Sequence, residues 1–198
     1  VTSVRLTRED AGMHDDGPRW NERYAATVDI DARMPEAFER WPELVERLPR
    51  SGRAVDVASG PGATTLWLGQ RSLDVVALDV SQTAIDVLRR AASARGLAER
   101  VDARAIDLDD GLPADVTEVD LVLCQRFRDP RLYEPMLDRL RVGGVLVVTV
   151  LSTVGAAAAG AFHAPAGELA AAFGAAARCE ILHSHEGDGV AHLVACRR

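Results

Sequence analysis

From position 53 onward, short apolar runs alternate with stretches whose apolar positions recur every three to four residues. "RAVDV" (53–57), "DVVALDV" (74–80), "VDARAI" (101–106), "VDLVLC" (119–124) and "GVLVVTV" (144–150) read as strands. Their continuous aliphatic content suits strands covered on both faces, as in a parallel sheet. Between them, "SQTAIDVLRRAASARG" predicts a helix with Ser81 as N-cap, Ile85, Leu88 and Ala92 on one face, and Gly96 as its stop. "PRLYEPMLDRLRVGG" predicts another, with Leu132, Met136 and Leu140 on one stripe, Pro135 near the first turn and Gly143-Gly144 closing it.

The rhythm then changes. "APAGELAAAFGAAA" reads as a helix, and "RCEILHSH" and "GVAHLVACR" as strands joined by the turn-prone "EGDG". That hairpin makes the last strand antiparallel to the one before it. Ahead of the first strand, "PRWNERYA" and "PEAFERWPELVERLP" read as helices. The expected fold is therefore α/β: a doubly wound, mostly parallel seven-stranded sheet with a C-terminal antiparallel strand. The 198 residues suit one domain over 18–198, with helical cover at its N-terminal side and residues 1–17 as a mobile tail.

Charge and composition narrow the chemistry. Every basic side chain is Arg and none is Lys, which excludes a Schiff-base lysine and the P-loop lysine. A net charge of −7 argues against nucleic acid as a partner, because neutralising phosphates needs a basic face. No apolar run reaches the ~20 residues of a membrane helix, and the N-terminal residues are too charged for a secretory signal. Cys124, Cys179 and Cys196 fit neither a disulfide framework nor a zinc pattern, and read as buried thiols of a cytoplasmic protein. His183, His185 and His192 could converge across the final hairpin, but imidazoles there are more often satisfied or exposed, and no metal site is expected.

The chemistry-bearing stretch is "AVDVASGPGATT" (54–65), where a strand runs into two glycines ahead of a helix. Amides there favour an electron-rich ligand. A dinucleotide fingerprint wants a third glycine where this chain has Thr65. What remains is Asp56-x-Ala58-x-Gly60-x-Gly62, with Ser59 inside the loop.

That spacing resembles the D/E-x-G-x-G-x-G of class I S-adenosylmethionine-dependent methyltransferases, with Ala58 replacing the first glycine. "WNERYAAT" further resembles the W-D-x-R-Y opening of small bacterial enzymes of the tellurite-resistance and thiopurine type. The resemblance covers residues 18 to 197 and implies S-adenosylmethionine as cofactor. It implies that Asp56 orients the loop and the amino group of the cofactor's methionine part. Asp79, followed by Val80, would receive the ribose hydroxyls, and Asp107 and Leu108 would read the adenine edge. Trp20, Arg23 and Tyr24 would form a lid, although Trp20 and Tyr24 would equally make a core pair four apart on a helix. Cys124, Gln125 and Arg126 would face the sulfonium and the acceptor, with Gln125 where related enzymes often carry His. His163 is the histidine best placed to act as a base if the acceptor must lose a proton.

The chain leaves room for a small-molecule acceptor, in a monomer or a homodimer. Two other readings stay open. One is a nicotinamide-dependent oxidoreductase, against which Thr65 and Asp56 argue. The other is a non-catalytic protein binding S-adenosylmethionine or its product, kept open by Ala58 and Gln125.

Overall fold

The computed structural model describes residues 16–174 and 177–198. Residues 1–15 of the expected tail lie outside that range. Asp16 and Gly17, assigned to the tail, instead belong to the first helix, α1 (Asp16–Tyr24). α2 (Glu36–Arg40) follows, continued by a 3-10 turn over Pro42–Arg47. The alternating body is β1 (Gly52–Val57), α3 (Ala63–Gln70), β2 (Leu73–Asp79), α4 (Gln82–Ala94), β3 (Val101–Ala105), β4 (Val119–Gln125), α5 (Tyr133–Arg139) and β5 (Leu140–Leu151). It ends with α6 (Glu168–Gly174), β6 (Cys179–Gly187) and β7 (Val190–Arg197).

The seven strands lie in the order β3-β2-β1-β4-β5-β7-β6. β1 to β5 run parallel, and β7 is antiparallel to both β5 and β6. The chain winds outward through β1, β2 and β3, then crosses back to lay β4 on the other side of β1. That reversal opens a crevice at the C-terminal ends of β1 and β4, where open α/β sheets bind ligands.

The pleat sorts the core. Leu121 and Leu123 pack with Phe38, Leu48 and Leu68 on one face, whereas Val122 and Cys124 join Met136, Leu137 and Phe173 on the other. The Ser81 cap is observed, its Oγ accepting from the Ala84 N–H at 3.1 Å. In the hairpin, Asp188 and Gly189 take φ of +55° and +77°, the two left-handed residues of a type I′ turn.

One expectation fails. Gly143-Gly144 do not close a helix; α5 ends at Arg139, and Leu140 already pairs with Val119. The next pair is Leu121 with Val145, so residues 141–144 bulge out of the strand. Gly143 has φ +80°, and a Cβ on Gly144 would lie 2.9 Å from the Arg141 carbonyl oxygen and 3.0 Å from that of Val119. The glycines serve a β-bulge with close backbone approach, which a helical stripe in the sequence conceals.

Candidate active site

The strand-to-helix loop is held from two sides by carboxylates. Asp79, at the end of β2, accepts from the Gly60 N–H at 2.7 Å and from the Ser81 N–H at 2.9 Å. Its burial pushes its carboxyl up, and these two backbone donors pull the other way. Asp56, in β1, is 2 % exposed and accepts the Thr65 hydroxyl at 2.6 Å. Burial dominates there and pushes the Asp56 carboxyl up to about 7. Thr65, which stands where a dinucleotide site has glycine, thus ties α3 to β1.

The glycines answer to neighbours more than to a ligand. A Cβ on Gly62 would overlap Leu88 of α4 at 2.3 Å, and Gly62 has φ +86° as the N-cap of α3. Gly60, at φ +53°, lies under Tyr24, whose hydroxyl would be 3.0 Å from an added Cβ. Ala58 takes φ +55°, which explains why the family pattern has glycine there.

A cavity of about 250 Å³ opens at the switch point. It is lined by Ala58, Asp79, Val80, Asp107 and Leu108 from the ends of β1, β2 and β3, and by Gln125 and Arg126 from the end of β4. Trp20, Arg23 and Tyr24 of α1 complete it. Trp20 and Tyr24 stack at 5.8 Å, and the Arg23 guanidinium lies 5.5 Å from the Trp20 ring centre. They make a cover for the cavity and not a core pair, since α1 has no buried residue. Burial and then the Asp79 charge push the Tyr24 hydroxyl up, so it stays a neutral donor. Asp107 also caps the 3-10 turn that follows it, accepting from the Asp109 N–H at 2.9 Å.

The acceptor end is braced. Gln125 accepts the Glu36 N–H at 2.8 Å and donates to the Thr64 hydroxyl at 2.7 Å. Arg126 sits at φ +55° and grips the Glu36 carboxylate through two bonds of 2.9 and 3.0 Å.

Other expected residues lie elsewhere. Asp56, Ser59, Gly60 and Gly62 shape the loop from beneath without lining the cavity. Cys124 points to the opposite face from Gln125, because successive residues of a strand alternate; it is 1 % exposed, and burial pushes its thiol up. His163 folds back on its own turn, its Nδ1 accepting from the Gly160 N–H at 3.0 Å, and does not line the cavity. Asp16 and Phe127 do line it and were not singled out in the sequence. Phe127 stands two residues past the end of β4, within reach of that motif, and Asp16 falls in the stretch expected as tail.

The three hairpin histidines do converge, on Trp41, with ring centres 4.4, 4.9 and 5.3 Å away for His183, His185 and His192. Among the described residues no group of three ligating side chains is placed to hold a metal. His192 is 2 % exposed, hydrogen-bonded to Thr149 at 3.0 Å, and pushed down to about 4 mainly by burial. An unfolded histidine near 6.5 takes up its proton first as pH falls, so stability is full above that value and declines toward pH 4. The expected loss is about 3 kcal/mol across that window. Urea unfolding of wild type and His192→Gln at pH 7.5 and 5 measures the first part of it: between those values wild type is expected to lose about 2 kcal/mol relative to the variant.

Residues 54–144 match the methyltransferase-domain family. The tRNA 5-carboxymethoxyuridine methyltransferase of Escherichia coli (strain K12) is 31 % identical over 108 residues, covering 52 % of this chain but only 41 % of that protein. TehB from Haemophilus influenzae superposes with a TM-score of 0.68 at 15 % identity, over 92 % of this chain and 67 % of that one. The [4+2]-cyclase SpnF superposes at 0.70 with 21 % identity, over 98 % and 97 %. At such identities these structures speak for the fold alone, and a cyclase among them shows that the reaction must be argued from the site. Among the described residues no helix is long and apolar enough to cross a membrane. The acid-ended β2 beside a glycine loop, the strand order and the matched segment agree: residues 54–144 carry a methyltransferase domain, within an α/β fold of the class I S-adenosylmethionine-dependent type.

Proposed function

We propose that the protein transfers a methyl group from S-adenosylmethionine to a small acceptor that is already a good nucleophile. The observation that carries this is the Asp79 carboxylate, fixed by two backbone N–H groups yet lining the cavity. Each of its oxygens keeps a lone pair for a vicinal diol. Asp107 and Leu108 stand beside it for the adenine edge, and Arg23 and Tyr24 for the methionine end. When bound, the cofactor supplies a methyl group activated by its sulfonium charge. The chain's task is then alignment, which supplies ~7–11 kcal/mol of barrier lowering in well-oriented pairs.

On the acceptor side, the wall is Gln125, Arg126 and Phe127. Gln125 and Arg126 are engaged with α2 and Thr64, and none of the three is a general base. A thiolate, selenide or reduced tellurium species needs none, which favours such acceptors over neutral hydroxyls. The net charge of −7 and the thirteen arginines in ion pairs among the described residues support a small molecule over tRNA. A screen with methyl-labelled S-adenosylmethionine against thiols, phenols, amines, metalloid oxyanions with reductant, and bulk tRNA tests the reading. Transfer to a thiol or reduced metalloid is expected; transfer only to tRNA overturns the small-molecule assignment.

A further inference from the structure

The described turns of α1, Asp16–Tyr24, lie over the mouth of the cavity. They have no buried residue. Yet three of its side chains cover the cavity, so something must hold it there. Besides the Arg19 guanidinium, 5.7 Å from the Phe162 ring centre, it is attached through Asn21. The Asn21 Oδ1 accepts from the Ser81 hydroxyl at 2.8 Å and from the Thr83 N–H at 3.0 Å. The amide orientation is fixed by chemistry, because a backbone N–H can only donate. Ser81 is also the N-cap of α4, and Asp79 two residues earlier holds its N–H. The anchor of the cover and the proposed sugar acid are thus set on the same backbone turn.

We infer that Asn21 is a positioning residue that clamps α1 over the cofactor cavity and sets the residence time of the cofactor. The inference rests on the S-adenosylmethionine reading of the cavity. A cover in equilibrium between docked and undocked forms scales the apparent affinity by its docked fraction. Removing two hydrogen bonds at ~0.5–1.5 kcal/mol each lowers that fraction, and about tenfold is the expected scale. The effect should fall on escape, because an undocked α1 leaves the mouth open without blocking entry.

The experiment uses the full chain with two probes, S-adenosylmethionine and S-adenosylhomocysteine. Calorimetry gives Kd, and a chase of tritiated S-adenosylmethionine by unlabelled product gives the dissociation rate. Asn21→Ala is expected to raise Kd and the dissociation rate about tenfold each, with association within threefold and Tm within a few degrees. Asn21→Asp keeps acceptor oxygens for both donors and is expected to return both values to within about threefold of wild type. An unchanged dissociation rate in Asn21→Ala, or an Asn21→Asp variant as weak as the alanine one, overturns the inference alone. A wild-type chain that binds neither probe overturns the cofactor reading and this inference with it.

Discussion

Asp79→Asn is expected to weaken S-adenosylmethionine binding by roughly 100-fold while leaving a folded protein. The proposed ribose contact joins an ionised acceptor to two hydroxyls, and hydrogen bonds to charged groups contribute ~1.5–3 kcal/mol each. Losing the charge and one acceptor oxygen removes about 3 kcal/mol, hence the factor of 100. Alanine is the wrong variant for this test. Both Asp79 oxygens hold backbone N–H groups, of Gly60 and Ser81, and alanine would orphan the two together. Each buried orphan costs about 1–3 kcal/mol, a large part of a typical domain's stability of ~5–15 kcal/mol. Asparagine keeps one acceptor and removes a carboxylate whose burial opposes ionisation. Calorimetry beside a thermal melt separates the two effects. Near-wild-type affinity in a folded Asp79→Asn would end the ribose assignment.

Asp56→Asn should do the reverse, stabilising the protein and leaving the cofactor alone. Below about pH 3.8 the carboxyl is protonated in both folded and unfolded chains, and no penalty arises. From there to about 7 the unfolded chain releases its proton while the folded one keeps it, so stability falls as pH rises. Above 7 the loss is complete, on the order of 4 kcal/mol for a carboxyl raised from 3.8 to about 7. Asparagine can still accept the Thr65 hydroxyl and carries no such penalty. The variant is expected to match wild type near pH 4 and to melt about 10 °C higher at pH 8. Because Asp56 is buried and does not line the cavity, its affinity for S-adenosylmethionine should stay within about threefold. A flat difference between the two melting curves across pH sinks the first claim. A large loss of affinity would return Asp56 to the cofactor's methionine end. The two acids also interact: the Asp79 charge helps push Asp56 up, so Asp79→Asn should itself soften the alkaline decline.

The site was legible wherever chemistry follows from position along a strand. Asp79 and Asp107 end or follow β2 and β3, and a parallel sheet delivers those ends to one edge. Legibility stopped where orientation depends on the pleat or on a neighbour far away in sequence. Cys124 and Gln125 are adjacent in one motif, yet only Gln125 reaches the cavity. His163 follows β5, which by chain order alone puts it near the site, but its ring closes a turn with Gly160. Asn21 gave no local sign of its role, since its partners Ser81 and Thr83 lie some sixty residues on.

The order of elements, the hairpin reversal and the acid-rich edge were set by the sequence itself, through hydrophobic period and turn chemistry, both of which act over a few residues. Only the tertiary structure decided that Gly62 makes room for Leu88, that Gly143-Gly144 form a bulge, and that a nine-residue helix covers the cavity. Those outcomes turn on contacts between segments distant along the chain, where excluded volume and paired donors select one arrangement among many that local preference allows.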